Sequence, residues 1–413
     1  MIKPIIFHID FDCYFVSAAR TIQPELNNKP VAISRSSSHA IAVSVSYELK
    51  NKGVKAGMKN FEIQAIEPKT TFVPSDMDLY ERLSSEIFEY IAKYYTGNIQ
   101  IASIDECFLD VTDLVTQRNI SCIQLAHKLQ RDLMHKFRIP VTIGISHNKF
   151  AAKMTTNISK PFGIGFTDEN NFAEHFFNLD IEKYHGIGKK TADKLRKVNI
   201  NTIGELASKK VSDLEISAIF GRIGQDILHN LDPYVYEHIS FKDEQALGIG
   251  NEITFEDYSL PYEIKIEHLV ALCEKVSERL IKENLAGNVI TLTIRQKSKK
   301  WINKQIKIAN YINSKGDIYK IAFNIFTKYF GESDFIGIGI RVSNLINLSD
   351  IYLPIELINS NKINLQDNLI KEIIAEVNTL FANPTLEILD DSTDRKQKLQ
   401  QGKYKFKKML FRK

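Results

Sequence analysis

The run Ile5-Ile6-Phe7-His8-Ile9 is apolar at nearly every position and stops at Asp10 and Asp12, the pattern of a buried strand that ends in acids. Residues 13–20 then have helical character up to the block at Pro24. Two strands, 30–34 and 41–46, flank a Ser-rich loop with Arg35 and His39. A helix over 47–52 is closed by Gly53 ahead of a turn at Ala56-Gly57. Leu79, Leu83, Ile87, Phe88 and Ile91 keep a helical period across 77–95, as do Ile123, Leu125, Leu129 and Leu133 across 121–137. Between these helices residues 101–111 read as a hairpin with Asp105 and Glu106 at its tip, and 141–146 as another buried strand. Together they predict a sheet with helices over one face and the acids exposed on the other.

The second half changes character. Residues 146–161 begin a helix with Lys149, Lys153 and Lys160, and 171–231 read as all-helical around Gly186-Ile187-Gly188-Lys189-Lys190. A weaker copy of that turn is Phe220-Gly221-Arg222-Ile223-Gly224. After a polar linker, 236–245, the pattern predicts a strand from 247, a helix over 264–284, strands at 289–296 and 302–309, a helix over 315–330 and a strand at 335–342. That β-α-β-β-α-β order is a ferredoxin-like unit. A helix over 368–381 and a disordered basic tail after Asp394 complete the chain.

At 413 residues with 44% hydrophobic content, the chain is too long for one ordinary core and is expected to hold two to four domains. A net charge of +4 is too mild to name a partner, so local patches carry that argument. Cys13, Cys107, Cys122 and Cys273 form no C-x-x-C pair, which argues against a zinc ribbon or redox dithiol and for a reduced interior. Without an apolar leader or long apolar span, a soluble, cytosolic protein is expected.

Three features carry chemistry. Asp105 and Glu106 repel one another unless cations neutralise them, and pairing their hairpin with the Asp10 strand gathers three hard oxygen ligands. Such a set can hold two divalent metals about 3.5–4 Å apart. The Gly186-x-Gly188 turn opens a helix with its amides unpaired, a hairpin suited to a nucleic-acid backbone. The hairpin of the ferredoxin-like unit carries Arg295, Lys297, Lys299, Lys300, Lys304 and Lys307 with no acid among them, a run that suits phosphate.

In this order, Asp10-Phe11-Asp12-Cys13-Tyr14-Phe15, Tyr47 with Gly53-Val54-Lys55-Ala56-Gly57-Met58, Ser103-Ile104-Asp105-Glu106, Gly144-Ile145-Ser146-x-Asn148-Lys149, Lys160-Pro161 and Gly186-Ile187-Gly188 resemble the Y-family translesion DNA polymerases of the bacterial polymerase IV type. The resemblance spans about residues 5–345. It implies a multidomain α+β right hand: a ferredoxin-like palm (1–11 and 75–165), small fingers (12–74), a helix-hairpin-helix thumb (166–235), a linker (236–245), a little finger (246–345) and a C-terminal helix and tail (346–413). It implies a low-fidelity, template-directed polymerase that inserts deoxynucleotides opposite damaged bases without proofreading.

The resemblance also assigns roles. Asp10, Asp105 and Glu106 are catalytic and, with the Phe11 carbonyl, hold two magnesium ions. Phe15 is the steric gate against a 2′-hydroxyl. Ser44, Tyr47, Lys50 and Lys160 touch the triphosphate, with Lys50 standing where arginine is customary and so offering a point charge in place of a fork. His185 departs from the usual proline. Ile41 and Val43 roof the nascent base pair. On the Gly-x-Gly turn and the basic run described above, Gly186, Gly188, Lys189, Arg295, Lys297, Lys299 and Lys300 are expected to bind DNA. The expected partners are primer-template DNA, deoxynucleoside triphosphates and, through the degenerate motif at 348–355, the sliding clamp; no membrane is expected, and the chain is expected to be a monomer. Two other readings remain, a nucleotidyl cyclase with the same palm chemistry and a catalytically dead DNA-binding adaptor.

Overall fold

The computed structural model describes residues 3–35, 40–240, 246–255, 257–331 and 334–348, so His39, the candidate clamp motif beyond Leu348, the helix at 368–381 and the tail lie outside the described residues. The chain divides into two compact units, the first ending at residue 242 and the second starting at 243.

The first unit starts with β1 (Ile6–Phe11), whose six residues are all buried. α1 (Tyr14–Ile22) stops at the proline as expected. Next come β2 (Val31–Ile33), β3 (Ser44–Val45), α2 (Tyr47–Lys50), α3 (Asn60–Ile66) and β4 (Thr71–Val73), which make a small sheet in the order β3-β2-β4. The six-residue strand expected at 41–46 shrinks to two residues. Its first two residues turn away from β2: the Ala42 N–H bonds to the Met58 carbonyl at 3.0 Å, and Ile41 bridges to Lys59.

α4 (Met77–Tyr94) is started by the Asp76 carboxylate, which accepts from the Leu79 N–H at 3.0 Å. β5 (Ile99–Ile101), β6 (Glu106–Asp110), α5 (Thr112–Arg118), α6 (Cys122–Phe137), β7 (Val141–Ser146), α7 (Lys149–Ser159) and β8 (Ile164–Phe166) follow. Their sheet has the order β5-β6-β1-β7-β8, with β1 antiparallel to both neighbours. Period-two alternation sends Phe7, Ile9 and Phe11 to one face, against Ile87, Phe88 and Ile91 of α4 and Leu125, Leu129 and Leu133 of α6. Each of these fully buried side chains contributes about 1.5–3 kcal/mol.

The opposite face is not left open, which corrects the expectation of exposed acids. α7 lies on it, started by Asn148, whose side chain accepts from the Ala151 N–H at 2.8 Å. It comes so close to β7 that a Cβ on Gly144 would sit 2.2 Å from the Ala152 carbonyl oxygen. Glycine is what lets this helix reach the sheet, and Asp10 is 9% exposed beneath it.

The rest of the unit is helical, as expected: α8 (Phe172–Phe176), α9 (Lys189–Arg196), α10 (Ile203–Ala207), α11 (Leu214–Phe220) and α12 (Gly224–His229) around Phe172, Phe176, Ile181, Leu195, Ile203 and Leu206.

The second unit is β9 (Gly248–Thr254), α13 (Tyr262–Lys282), β10 (Leu285–Gln296), β11 (Trp301–Ile312), α14 (Lys315–Tyr329) and β12 (Phe335–Asn347), in the predicted element order. Its antiparallel sheet runs β11-β10-β12-β9, so each helical crossover skips one strand. Ile290, Leu292, Ile294, Ile338, Ile340 and Val342 face Leu269, Val276, Leu280, Ile318, Ile325 and Phe326 of the two helices. Among the described residues all four cysteines are free, and no helix is long and apolar enough to cross a membrane.

Candidate active site

Asp10 and Glu106 are direct partners in the β1–β6 ladder, so their side chains leave the sheet on the same face. Asp105 stands one residue earlier, where its carbonyl accepts from the Phe11 N–H at 2.8 Å and its carboxylate accepts from the Ser103 hydroxyl at 2.6 Å. The ladder therefore sets Asp10 beside Glu106, with Asp105 next along the chain at the hairpin turn.

Two lysines meet them, Lys153 on α7 and Lys160 just past its end. Lys160 Nζ lies 2.6 Å from Asp10 Oδ1, and Lys153 is paired with Glu106. His8, two residues before Asp10 and fully buried, places Nε2 3.5 Å from Glu106 Oε2 and Nδ1 2.9 Å from the Thr156 hydroxyl. Burial holds the imidazole down at about 4, so it is neutral at pH 7. Burial also lifts the Asp10 carboxyl to about 6 against the pull of Lys160, and the nearby Asp105 charge adds to the lift. At Glu106 burial pushes upward too, but hydrogen bonds from His8 and Lys153 and the Lys153 charge outweigh it and hold the carboxyl at about 2.

As the side chains stand, no three His, Cys, Asp or Glu groups among the described residues converge closely enough to hold a metal ion. The donor chemistry nonetheless fits a hard divalent cation. The acids are oxygen ligands on adjacent strands, and both Asp10 and Glu106 already carry a cation, an ammonium group standing in.

Asp12 is different, although the motif pairs it with Asp10. It is 2% exposed and both oxygens are engaged, by the Tyr47 hydroxyl (3.0 Å), the Thr142 hydroxyl (2.9 and 3.0 Å) and the Phe162 N–H (2.8 Å). Of the two acids in the motif, only Asp10 faces Glu106.

Phe15 is half-buried on α1 and stacks on Tyr80, with ring centroids 4.4 Å apart and planes 13° from parallel. Ser44 is half-buried on β3, while Ile41 and Val43 are more than half exposed. Lys50 is exposed, with its Nζ 4.5 Å from the centre of the Tyr47 ring. Tyr47 bonds to Asp12, and burial with that neighbouring charge pushes its phenol well above its usual range. Lys160 rests on Asp10.

The Gly-x-Gly turn has the expected form. Gly186 takes φ +106°, Ile187 plugs into the helical core, and Gly188 starts α9 with no side-chain cap, leaving its first amides and the exposed Lys189 and Lys190 outward. At residues 220–224 the chain instead makes a short 3-10 turn, and Gly224 is already helical and buried.

In the second unit, alternation sorts the basic run. Arg295 pairs with Trp301, Lys307 with Val289, and Arg341 with Thr291, all on the face that the helices leave uncovered. Lys304 lies on the other side, 5.4 Å from the Tyr329 ring of α14. Two expected DNA contacts are already engaged. Arg295 donates to the Thr254 hydroxyl at 2.7 Å, and Lys297 pairs at 2.5 Å with Asp334, an acid outside the hairpin and so invisible to a reading of the hairpin alone. Lys299 and Lys300 are exposed at the turn.

Sequence reasoning missed His8, Lys153 as the partner of Glu106, Asp12 as a tether, and Arg341. Only Arg341 had a readable signal, its place in the alternation of the last strand.

The profile of the impB/mucB/samB family matches residues 9–157, and that of the same family's C-terminal domain matches residues 247–351. DNA polymerase IV of Ureaplasma parvum is 33% identical over 352 residues, covering 84% of this chain and 96% of that one. DNA polymerase IV of Oceanobacillus iheyensis is 30% identical over 344 residues, covering 83% and 81%. Among solved structures, a Y-family DNA polymerase chimera of Dbh and Dpo4 superposes with a TM-score of 0.71 at 25% identity, covering 83% of this chain and 99% of that chain. The fold, the order of the motifs and these matches agree, and the chain belongs to the impB/mucB/samB family of Y-family DNA polymerases.

Proposed function

We propose that this chain is a low-fidelity, template-directed DNA polymerase that inserts deoxynucleotides opposite damaged bases without proofreading. The observation that carries the reading is the cross-strand pairing of Asp10 with Glu106, beside Asp105 and beneath a helix that brings lysines to both. In this reading β1 and β5–β8 with their helices are the palm, β2–β4 with α1–α3 the fingers, α8–α12 the thumb, and the second unit the little finger. Its work belongs in the cytoplasm, with the chromosome.

Asp10, Asp105, Glu106 and the Phe11 carbonyl would hold two magnesium ions. Bound there, the pair would favour the alkoxide form of the primer 3′-hydroxyl and neutralise charge on the departing pyrophosphate. The 3′-hydroxyl releases its proton to water and its oxygen bonds to the α-phosphorus as the bond to the bridging oxygen of the β-phosphate breaks, and the electron pair leaves with pyrophosphate. Until nucleotide arrives, Lys160 and Lys153 keep the carboxylates neutralised. Ser44, Tyr47, Lys50 and Lys160 then hold the triphosphate, Lys160 exchanging Asp10 for phosphate. Phe15, backed by Tyr80, closes the space that a 2′-hydroxyl would need. Ile41 and Val43 present modest apolar surface to the nascent base pair, which suits bulky or distorted templates. Gly186, Gly188 and Lys189 meet one stretch of DNA backbone, and Arg295, Lys297, Lys299 and Lys300 another.

Primer extension with magnesium on intact and damaged templates is the test. Wild-type protein should lengthen the primer according to the template, and Glu106→Ala should lower incorporation by roughly 100-fold or more, as removing one charge-stabilising group does. Unimpaired incorporation by that variant would discard the assignment. Cyclised nucleotide as the product would favour the cyclase, and DNA binding without either product the adaptor.

A further inference from the structure

We propose that Asp12 is a positioning residue for the incoming triphosphate, its buried carboxylate setting Tyr47 and the turn that carries Lys160 before nucleotide binds. The inference rests on the reading of Tyr47 and Lys160 as triphosphate contacts.

Its partners come from three separate places: Tyr47 on α2, Thr142 on β7 and Phe162 in the turn after α7. The anchor is itself fixed, because the Asp12 N–H donates to the Pro140 carbonyl at 2.9 Å and its own carbonyl accepts from the Ser17 hydroxyl at 2.6 Å. A carboxylate this buried must keep its donors, since losing them leaves an unsolvated charge. The charge therefore draws both loop segments onto β7.

The turn supplies a second observation. Phe162 has φ +51°, a left-handed conformation that a bulky residue adopts only where its surroundings impose it. The residue is 46% exposed, so core packing does not impose it. Hydrogen bonds hold it there, its N–H donating to Asp12 at 2.8 Å and its carbonyl accepting from the Gln130 side chain at 3.1 Å, and Lys160 is two residues away. On the other side the Tyr47 hydroxyl bonds to the same carboxylate. One buried side chain thus couples two groups assigned to the same ligand.

In an Asp12→Asn protein the amide oxygen can still accept from Tyr47, but its NH2 then faces the Phe162 N–H, donor against donor. The turn is released while the shape of the core is kept. Hydrogen bonds to a charged group support an expected change of about ten-fold.

The test is steady-state single-nucleotide insertion by wild-type, Asp12→Asn, Tyr47→Phe, Thr142→Val and the Asp12→Asn/Tyr47→Phe double variant, with thermal unfolding recorded for each. Asp12→Asn should raise KM for the deoxynucleotide about ten-fold, a larger change than in kcat, with primer-template affinity within two-fold of wild type. The double variant should lose less than the product of the two single effects. Thr142→Val, which keeps the charge and removes one donor, should raise KM about three-fold, and it decides the matter if Asp12→Asn does not fold. An unchanged nucleotide KM in whichever of these variants folds, with only the melting temperature lowered, overturns the proposal and makes Asp12 a fold residue. A wild-type chain that does not extend primers overturns the polymerase reading as well, whereas a wild-type enzyme with an indifferent Asp12→Asn variant overturns this inference alone.

Discussion

Placing a methyl group on Gly144 is the sharpest way to ask whether α7 must lie where it does. An alanine Cβ there would sit 2.2 Å from the Ala152 carbonyl oxygen, 2.4 Å from the Thr156 nitrogen and 2.5 Å from its hydroxyl. Carbon contacts normally begin near 3.5 Å, so the helix must retreat by roughly 1 Å. It cannot do so cheaply, because Ala151 and Met154 on its other side are packed into the neighbouring helical core. Two of the three obstructing atoms are backbone, which puts the cost toward the upper end for overpacking, about 3 kcal/mol. For a unit of this size that lowers the melting temperature by roughly 6–12 °C. The same retreat carries Lys153 away from Glu106 and Lys160 away from Asp10, and a displacement of about 1 Å at such a site costs on the order of 100-fold in rate.

The assay is primer extension at a temperature where the variant is fully folded, beside Ile143→Val as a control. Ile143 packs into the core on the opposite face, so that variant should lose about 1 kcal/mol of stability and leave α7 and the rate alone. Gly144→Ala with wild-type melting and rate, or Ile143→Val losing rate to the same extent, would refute the reasoning.

Two further predictions concern selectivity and pH. Phe15→Ala should raise ribonucleotide use relative to deoxynucleotide by roughly 100-fold, the scale on which a packed apolar wall rejects an added hydroxyl; unchanged sugar preference in competition assays removes the gate. Asp10 titrates at about 6 in the folded chain, above its usual 3.8, so its stabilising contribution is complete below pH 3.8 and is lost as pH rises through 6. Glu106, held at about 2, does the reverse: its contribution is complete above pH 4.5 and is lost as pH falls toward 2. Urea unfolding in chelator should therefore show Asp10→Asn gaining about 3 kcal/mol on wild type between pH 3 and pH 7, and a pH-independent difference would contradict the burial argument.

What the sequence made legible was whatever repeats over a long enough span. α4, α6 and β7 stand close to their predicted bounds because their apolar periods run for several turns or fill a whole strand. The six elements of the second unit came in the expected order for the same reason. α3, α5, β4 and β8 went unread: three to seven residues show too little of either period, and β8 is divided by Gly165. At the site, Asp10 and Glu106 were legible because strand alternation puts both on one face, and Asp105 because it adjoins Glu106 at the tip of the hairpin. His8, Lys153 and Asp12 were not, since their roles arise only once α7 has settled over Gly144. The direction of Arg295, likewise, depends on Trp301 of the adjacent β11 and on Thr254 of β9, which it reaches across Gly337 of β12.

Among the described residues β11 ends its sheet, a twelve-residue strand with one row of amide and carbonyl groups that no neighbouring strand takes up. A margin that long is a template for self-association unless charge keeps other chains off. Lys304 and Lys307 stand along it, so their charge guards that edge. Neutralising them would invite copies of the chain to stack through that border, whereas reversing them to glutamate would keep it defended.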